Sequence, residues 1–596
     1  MKQKEQTKKC VSIGGQAVIE GVMMRGESSM ATAVRDEDGI IRVEAVRVKP
    51  AKERNPIFRL PLIRGVYSFV SSMVGGSKVL MRSAEVFGES EPSKFEKWLA
   101  EKLKINIMSV ITTLSLFLGL GLAVLLFMYL PQLGRQGLES IFSTQFDVWA
   151  KSFIEGGIKL AIFVIYMLLT SLLKDIKRTF MYHGAEHKTI ACFEAGMELT
   201  VENAKKCSKI HDRCGTTFMV FVMLISILLF AVVESLIGQS VDNLYRVLLK
   251  LALLPVVAGI SYELLKLLSK TKSPLVLPLK WPGMLLQMIT TREPTADMLE
   301  VAITAFNTAY QMDNDKSIPE KQFIIPKKRN VLLEEVKKML LDNGIEESAE
   351  AEWIISLTLN VKRDELNSDK LVSPKYIEQI NKIVSERISG RPLWYCIGDT
   401  EFYGYTIKVD ERVLIPRPET EILVEKALKH INKQSRVLDL CTGSGAIAIS
   451  VNKESGALVT AVDISQDAID LAKENAKLNN AQVDFVLSDM FSGVEGLKFD
   501  VIISNPPYIK SQDIVLLQKE VKDFEPNLAL DGGEDGYDFY KTIAKNAKTY
   551  LNDGGVLIME CGIGQAQDIK NMLTDFSSVE IIKDYENIER IVKAVL

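Results

Sequence analysis

Long charge-free apolar runs in the first half of the chain give way, in the second half, to short apolar runs of strand length. Residues 105–130 carry no charge over a stretch long enough to cross a bilayer. Residues 156–173 carry only Lys159, 216–233 carry none, and 247–268 are interrupted by Lys250, Glu263 and Lys266. This pattern predicts four membrane helices over 105–270, with a buried core helix as the alternative for the fourth. Before them, 40–48 reads as a strand and 60–86 as an amphipathic stretch punctuated by glycine, within a cytoplasmic region 1–104. After them, 271–310 reads as peripheral, its helix broken at Pro274, Pro278 and Pro282, with Trp281 suited to a bilayer interface. Polar 311–330 reads as a linker and 331–395 as a helical module. From 396 to 596, apolar runs at 436–440, 458–462, 483–487 and 501–503 predict the strands of an α/β domain.

Composition supports the division. The chain has 596 residues, too many for one domain, and its 47% hydrophobic content gives a mean hydropathy of +0.11. Lys174, Lys177, Arg178, Lys188, Lys205, Lys206, Lys209 and Arg213 crowd 174–213, whereas 131–157, read as a loop, has only Arg135 and Lys151. The positive-inside rule then puts the 174–215 loop and both termini in the cytoplasm, with an even number of crossings of the cell membrane. No cleavable signal peptide is expected, because the first residues are charged and polar. The seven cysteines are expected to be reduced thiols rather than a disulfide framework.

The chemistry is most specific at Asn505-Pro506-Pro507-Tyr508, which follows the apolar run 501–503. An amide oxygen and a backbone carbonyl at a strand end can each accept a hydrogen bond from a substrate NH2 group. Tyr508 can stack on a planar group. That arrangement suits methyl transfer to a conjugated nitrogen, whose delocalised lone pair makes it a poor nucleophile. Upstream, the strand 436–440 runs into Cys441-Thr442-Gly443-Ser444-Gly445, a turn whose glycines allow close approach to a ligand. Asp463 ends the next strand, 18 residues past Gly445, where a carboxylate can accept both ribose hydroxyls of an adenosyl group. Met490 follows the third strand, where adenine contacts are expected. Loop, acidic strand end and Asn-Pro-Pro-Tyr, in that order, point to S-adenosylmethionine.

At this point residues 331–596 resemble the peptide chain release factor glutamine methyltransferases. The resemblance also covers Leu414-Ile415-Pro416-Arg417-Pro418-Glu419-Thr420-Glu421, Phe524-Glu525-Pro526, and Leu528-Ala529-Leu530-Asp531-Gly532-Gly533. It implies that 331–395 recognises substrate, that 441–445, Asp463, Met490 and Asn505 bind the donor, and that Asn505, Pro506, Pro507 and Tyr508 hold a release-factor glutamine. Cys441 departs from the usual Gly-x-Gly-x-Gly turn at its first position. Amino-methyltransferases of nucleic acids share the Asn-Pro-Pro-Tyr logic but need a basic surface. With Lys+Arg 72 against Asp+Glu 76, and no dense basic stripe in the second half, no direct nucleic-acid binding is expected.

Three of the four histidines fall within 183–211. His183-Gly184-Ala185-Glu186-His187 fits H-x-x-E-H, with both imidazoles on one helix face. Cys207, His211 and Cys214 add ligands at metal spacing, so His183, Glu186, His187, His211, Cys207 and Cys214 are the candidate set for a divalent metal such as zinc. A metallohydrolase is one reading, and a helix whose histidines and cysteines merely pack is the other. Residues 11–310 also resemble an uncharacterised family of predicted metal-dependent membrane proteins, through the stretches 14–26, 183–188, 213–216 and 290–294. Gly14-Gly15-Gln16 repeats the tripeptide that release factors present for methylation, and reads either as a self-substrate or, more simply, as a tight turn. The whole is a multidomain chain: an α-helical membrane region, a small helical domain, and an α/β Rossmann-like S-adenosylmethionine-dependent methyltransferase domain.

Overall fold

The computed structural model describes residues 13–50, 53, 55–87, 117–211, 214–237, 243–270 and 277–596. Residues 105–116 of the first predicted crossing, Arg213 and Pro274 lie outside the described residues. The chain forms two compact units, Met1–Lys327 with Ser373–Lys375, and Lys328–Val372 with Tyr376–Leu596.

The first unit opens with an antiparallel meander of β1 (Gly14–Val18), β2 (Gly21–Arg25), β3 (Ser29–Arg35) and β4 (Ile41–Arg47). Gly14-Gly15-Gln16 is therefore strand and not a turn, since its backbone pairs Gly14 with Arg25 and Gln16 with Met23. Helices follow: α1 (Ile63–Glu85), α2 (Phe117–Ile141), α3 (Val148–Thr170), α4 (Lys174–Glu194), α5 (Val201–Lys206), α6 (Gly215–Ile237), α7 (Asn243–Lys270), α8 (Leu277–Thr290) and α9 (Ala296–Asn314). Val22, Met24, Ala31, Ala33 and Ala45 of the sheet share one core with Met298, Leu299, Ala302, Phe306 and Ala309 of α9 and with Tyr182 and Ala185 of α4. The period of two on the strands and of 3.6 on α9 bring these apolar faces together.

Among the described residues, four helices are long and apolar enough to cross a membrane: Phe117–Ile141, Val148–Thr170, Gly215–Leu236 and Tyr245–Leu268. The second starts eight residues before its predicted position, and the stretch 131–157 is mostly helical where a loop was expected. Pro131 is accommodated because a π-turn, Leu125–Tyr129, precedes it and opens the i→i−4 ladder where proline has no N–H to give. Asp147 caps α3 by accepting from Ala150 N at 2.7 Å. Pro282 does not break α8, because the helix is held against α6: a Cβ on Gly283 would lie 2.6 Å from Thr217 Cγ2. The predicted linker is fastened to the sheet. Lys321 exchanges two backbone bonds with Ala45, at 2.6 and 2.8 Å, and Asp313 accepts from Glu27 N at 2.7 Å and Ser28 N at 2.9 Å.

The second unit begins with helices Arg329–Asp342, Ser348–Leu359 and Pro374–Ile388, then a hairpin of Asp399–Phe402 and Tyr405–Lys408. Its main sheet has seven strands, β5 (Arg436–Leu440), β6 (Leu458–Asp463), β7 (Val483–Leu487), β8 (Phe499–Ser504), β9 (Leu551–Glu560), β10 (Ser578–Lys583) and β11 (Glu589–Val595). The spatial order is β7-β6-β5-β8-β9-β11-β10, parallel except that β11 runs against both β9 and β10. Central strands buried on both faces read as unbroken apolar runs, which is why Val501, Ile502 and Ile503 are all at most 1% exposed.

Candidate functional site

β5 and β8 are neighbours at the centre of the sheet, and the chain winds outward from them in opposite directions. Such a switch point opens a crevice at the carboxyl ends of the strands. Cys441 follows β5, Asp463 ends β6, and Asn505 follows β8. They meet at a cavity of about 210 Å3 lined by Cys441, Gly443, Asp463, Met490, Asn505 and Pro507, with apolar side chains including Leu414 and Leu528.

Its polar wall is tightly held. Asp463 accepts from Gly443 N at 2.9 Å on Oδ2 and from Ser465 N at 3.0 Å on Oδ1, leaving a second lone pair on each oxygen. Burial raises its carboxyl above the usual range, and those N–H donors work against the rise. Asp439, the fourth residue of β5, is fully buried. Thr442 Oγ1 donates to its Oδ2 at 2.6 Å, while its Oδ1 has no hydrogen-bond partner among the described residues. Burial, with Asp463 nearby, pushes this carboxyl up to about 7 against the Thr442 bond. Cys441 and Met490 both take left-handed backbone, φ 60° and 52°. A glycine would adopt the first of these without strain. Their sulfurs lie 3.9 Å apart.

The amide of Asn505 is oriented from behind. Its Nδ2 donates to Thr420 Oγ1 at 3.2 Å, beside the buried carboxyl of Glu560 at the end of β9, whose Oε2 has no hydrogen-bond partner among the described residues. Nδ2 can only donate, so in this pairing the Thr420 hydroxyl accepts and Oδ1 is turned away from it. Glu560 is 4% exposed and burial pushes it up to about 7, against the neighbouring Thr420 hydroxyl. Tyr508 is half-buried beside Gly562, where a Cβ would stand 3.1 Å from its Cδ2. Arg417 Nη2 reaches both oxygens of buried Glu525, at 2.6 and 2.8 Å, and so ties the Pro-Arg-Pro segment to Phe524-Glu525-Pro526.

A second candidate group of side chains lies in the first unit. His183 and His187, one turn apart on α4, have ring centroids 4.5 Å apart. His183 Nδ1 lies 2.9 Å from Thr290 O, and His187 Nδ1 lies 2.7 Å from Lys209 O. A carbonyl only accepts, so each Nδ1 carries a hydrogen, and in the neutral ring the lone pair is on Nε2. His183 Nε2 is 3.2 Å from Cys214 Sγ, which also takes Thr216 N at 3.5 Å. Ligand atoms of His183, His187 and Cys214 all fall within 4.8 Å of one another. Glu186 is buried with Oε2 lacking a hydrogen-bond partner among the described residues. Burial pushes it up to about 7, while His183 and the Gly15 N–H hold it down. A cavity of about 1020 Å3 is lined by these residues, by His211, and by Gly15 and Gln16 of β1 and Gly76 of α1.

Residues 60–312 match the family described as "Protein of unknown function (DUF1385)", and 418–533 match "Methyltransferase small domain". A release factor glutamine methyltransferase of Thermodesulfovibrio yellowstonii is 40% identical over 251 residues, 41% of this chain and 90% of that protein. One from Geobacter sulfurreducens is 39% identical over 267 residues, 44% of this chain and 94% of that protein. The uncharacterized protein YqhQ of Bacillus subtilis is 34% identical over 304 residues, 50% of this chain and 92% of that protein. The chain belongs to the DUF1385 family in its N-terminal half and to the release factor glutamine methyltransferases in its C-terminal half.

Within the methyltransferase half, not every predicted residue faces the cavity. Cys441, Gly443, Asp463, Met490, Asn505 and Pro507 line it. Thr442 and Ser444 are buried in the turn beneath, Thr442 on Asp439 and Ser444 through its carbonyl on Asn475 Nδ2 at 2.9 Å. Gly445 packs against Ala472, where a Cβ would stand 3.0 Å from that methyl. Pro506 and Tyr508 are outside this lining. Thr420, Asp439 and Glu560 were not singled out by sequence reasoning. Thr420 lay in a quoted motif, and Glu560 had no signal beyond ending an apolar run.

Within the DUF1385 half, Cys207 is a correction. Its thiol donates to Asn203 O at 3.5 Å and adjoins Cys192, because α5 turns it into the core shared with α4 and α9. His211 stands at the edge of the group, 5.9 Å from His187 between ring centroids, with Nε2 3.3 Å from Glu194 Oε2. The six cysteines among the described residues are all free.

Proposed function

We propose that the C-terminal half transfers a methyl group from S-adenosylmethionine to the side-chain amide nitrogen of a glutamine in a peptide chain release factor. The named relatives supply the substrate class, and the observation that carries the mechanism is the anchored amide of Asn505. The residues fit the donor: Asp463 keeps lone pairs for ribose hydroxyls, and the orphaned Asp439 Oδ1 marks a buried acceptor beneath the turn. Met490 supplies a polarisable wall for adenine. When bound, S-adenosylmethionine supplies an electrophilic methyl group.

The rest is the work of the chain. With Nδ2 committed to Thr420, Asn505 offers Oδ1 to one substrate N–H, and the Pro506 carbonyl takes the other. Holding both hydrogens directs the nitrogen lone pair out of conjugation toward the donor cavity. Tyr508 packs the amide plane, and residues 331–395 recognise the release factor. The N-terminal half anchors the enzyme in the cell membrane with both termini cytoplasmic, where donor and substrate are found. In the full chain in mild detergent, Asn505→Ala should abolish methylation of a release-factor glutamine. Undiminished activity would sink this mechanism, and methylation of DNA or RNA instead would sink the substrate class.

A second reading concerns the His/Cys group. Both imidazoles are pinned through Nδ1 to backbone carbonyls, the arrangement that aims Nε2 lone pairs at a common point. Two imidazole nitrogens and one thiolate suit zinc, with the cavity side open for a fourth ligand. Glu186 then stands beside that open position as an acid–base group. We read His183, His187 and Cys214 as ligands, with His211 peripheral. Stoichiometric metal in the purified protein, lost in His183→Ala/His187→Ala, tests this reading.

A further inference from the structure

Between the apolar helices lies a partly buried polar ladder that neither reading uses. Arg135 of α2 pairs with Glu139 at 2.5 Å and with Glu155 of α3 at 2.9 Å. Lys250 of α7 pairs with Glu155 at 3.0 Å and with Glu234 of α6 at 3.1 Å. Lys151 lies 3.6 Å from Glu139, and Ser152 Oγ donates to Glu234 at 3.1 Å. Ionisable groups inside membrane helices are costly, and they persist where they face one another or a polar cavity.

The ladder ends on an unbalanced charge. Lys159 is 11 residues into the 23-residue α3, and Ser226 is 11 residues into the 23-residue α6, so both stand halfway along their helices. Lys159 Nζ reaches Ser226 Oγ at 3.4 Å and the Phe230 ring at 5.9 Å, and it has no carboxylate partner among the described residues. Counting the ladder gives four cations (Arg135, Lys151, Lys159, Lys250) against three carboxylates (Glu139, Glu155, Glu234). The surplus cation adjoins a cavity of about 40 Å3 lined by Ser152, Glu155, Lys159, Ser226, Phe230 and Lys250. That volume holds a few water-sized groups and no more. Beyond it, Phe163, Val220 and Leu286 form an apolar plug on the side toward Cys214. The polar groups lead the other way, toward Lys151 and Glu139 at the opposite end of the helices.

We propose that this pocket binds a small monovalent anion, a halide or a compact carboxylate, between Lys159 and Lys250. Ser226 Oγ, whose own hydrogen goes to Met223 O, accepts from Lys159 Nζ and positions it at the pocket, Ser152 borders it, and the anion enters from the helix ends remote from the His/Cys group. The anion neutralises the one charge that the ladder leaves uncompensated.

The test uses the full chain in lipid nanodiscs, with thermal unfolding followed at constant ionic strength. Chloride or acetate is titrated against gluconate, which is too large for the pocket. The expected result is a saturable rise of a few degrees in the midpoint with chloride, acetate or both, the stronger of the two identifying the ligand as halide or carboxylate. Lys159→Met should remove the rise and Lys159→Arg should keep it. Should Lys159→Met fail to fold, Ser226→Ala should weaken the apparent affinity several-fold. Absence of a saturable rise in the unaltered protein, or a rise that persists in Lys159→Met, would overturn the proposal.

Discussion

Thr420 Oγ1 accepts a hydrogen bond from Asn505 Nδ2 at 3.2 Å, across 85 residues of sequence. An amide can rotate by half a turn at little cost in shape, and the rotated form would present N–H to the substrate where an acceptor is needed. Thr420→Val keeps the volume and removes the acceptor. A single such hydrogen bond contributes about 1 kcal/mol, so the variant should lose roughly fivefold in kcat with a smaller change in KM for the donor. Steady-state kinetics on a release-factor substrate checks this, and an unchanged kcat would show that Thr420 does not orient the amide.

Glu560 behind that pair gives a pH dependence. Its ordinary pKa of 4.5 is pushed up to about 7 by burial. Between those values the folded chain keeps a proton that the unfolded chain has released. Unfolding free energy therefore falls as pH rises through the window, by on the order of 3 kcal/mol for this group. Glu560→Gln cannot titrate. Its stability relative to the unaltered chain should improve from pH 5 to pH 8, read from thermal unfolding of the C-terminal unit. A difference that is flat with pH would mean that Glu560 is ionised throughout.

What the sequence disclosed followed from local geometry. Asp463 and Asn505 were readable because each ends an apolar strand, and a strand end at a switch point faces the crevice. The shared face of His183 and His187 was readable because four residues make about one helical turn. Thr420 and Glu560 were hidden, since each acquires its role only when the Pro418–Leu428 helix and β9 meet beside β8. Cys207 was misassigned because Cys-x3-His-x2-Cys counts positions along the chain, whereas α5 turns that thiol toward Cys192. Arg135 and Lys151 were counted as loop charges, and they are helical and paired with Glu139.

The two cysteines make the metal reading selective. Cys214 Sγ stands 3.2 Å from His183 Nε2, whereas Cys207 packs in the α4–α9 core. Cys214→Ser exchanges a soft ligand for a hard and weak one, so bound zinc should fall by tenfold or more in affinity. Cys207→Ser should leave metal content unchanged. Metal analysis of the purified full chain after a competing chelator separates the cases. Equal loss in both variants would assign the effect to folding and not to ligation.

Gly15 supplies a steric test of the same site. A Cβ built on this β1 residue would lie 2.7 Å from the Glu186 carboxyl carbon, nearer than real Cβ contacts come, and the Gly15 N–H also bonds that carboxylate. Gly15→Ala must therefore push Glu186 aside or shift the strand, whose backbone is fixed by pairing with Met24. Because the strand is held on one side and Glu186 has a cavity beside it, the side chain yields. Overpacking of this kind costs about 1–3 kcal/mol. The expected outcome is lowered thermal stability of the N-terminal unit with the His183–His187–Cys214 ligands intact, so that metal is retained. Gly14→Ala, whose Cβ would meet nothing within 4 Å, is the matched control and should be close to neutral. Equal destabilisation by the two variants would refute a specific contact between Gly15 and Glu186.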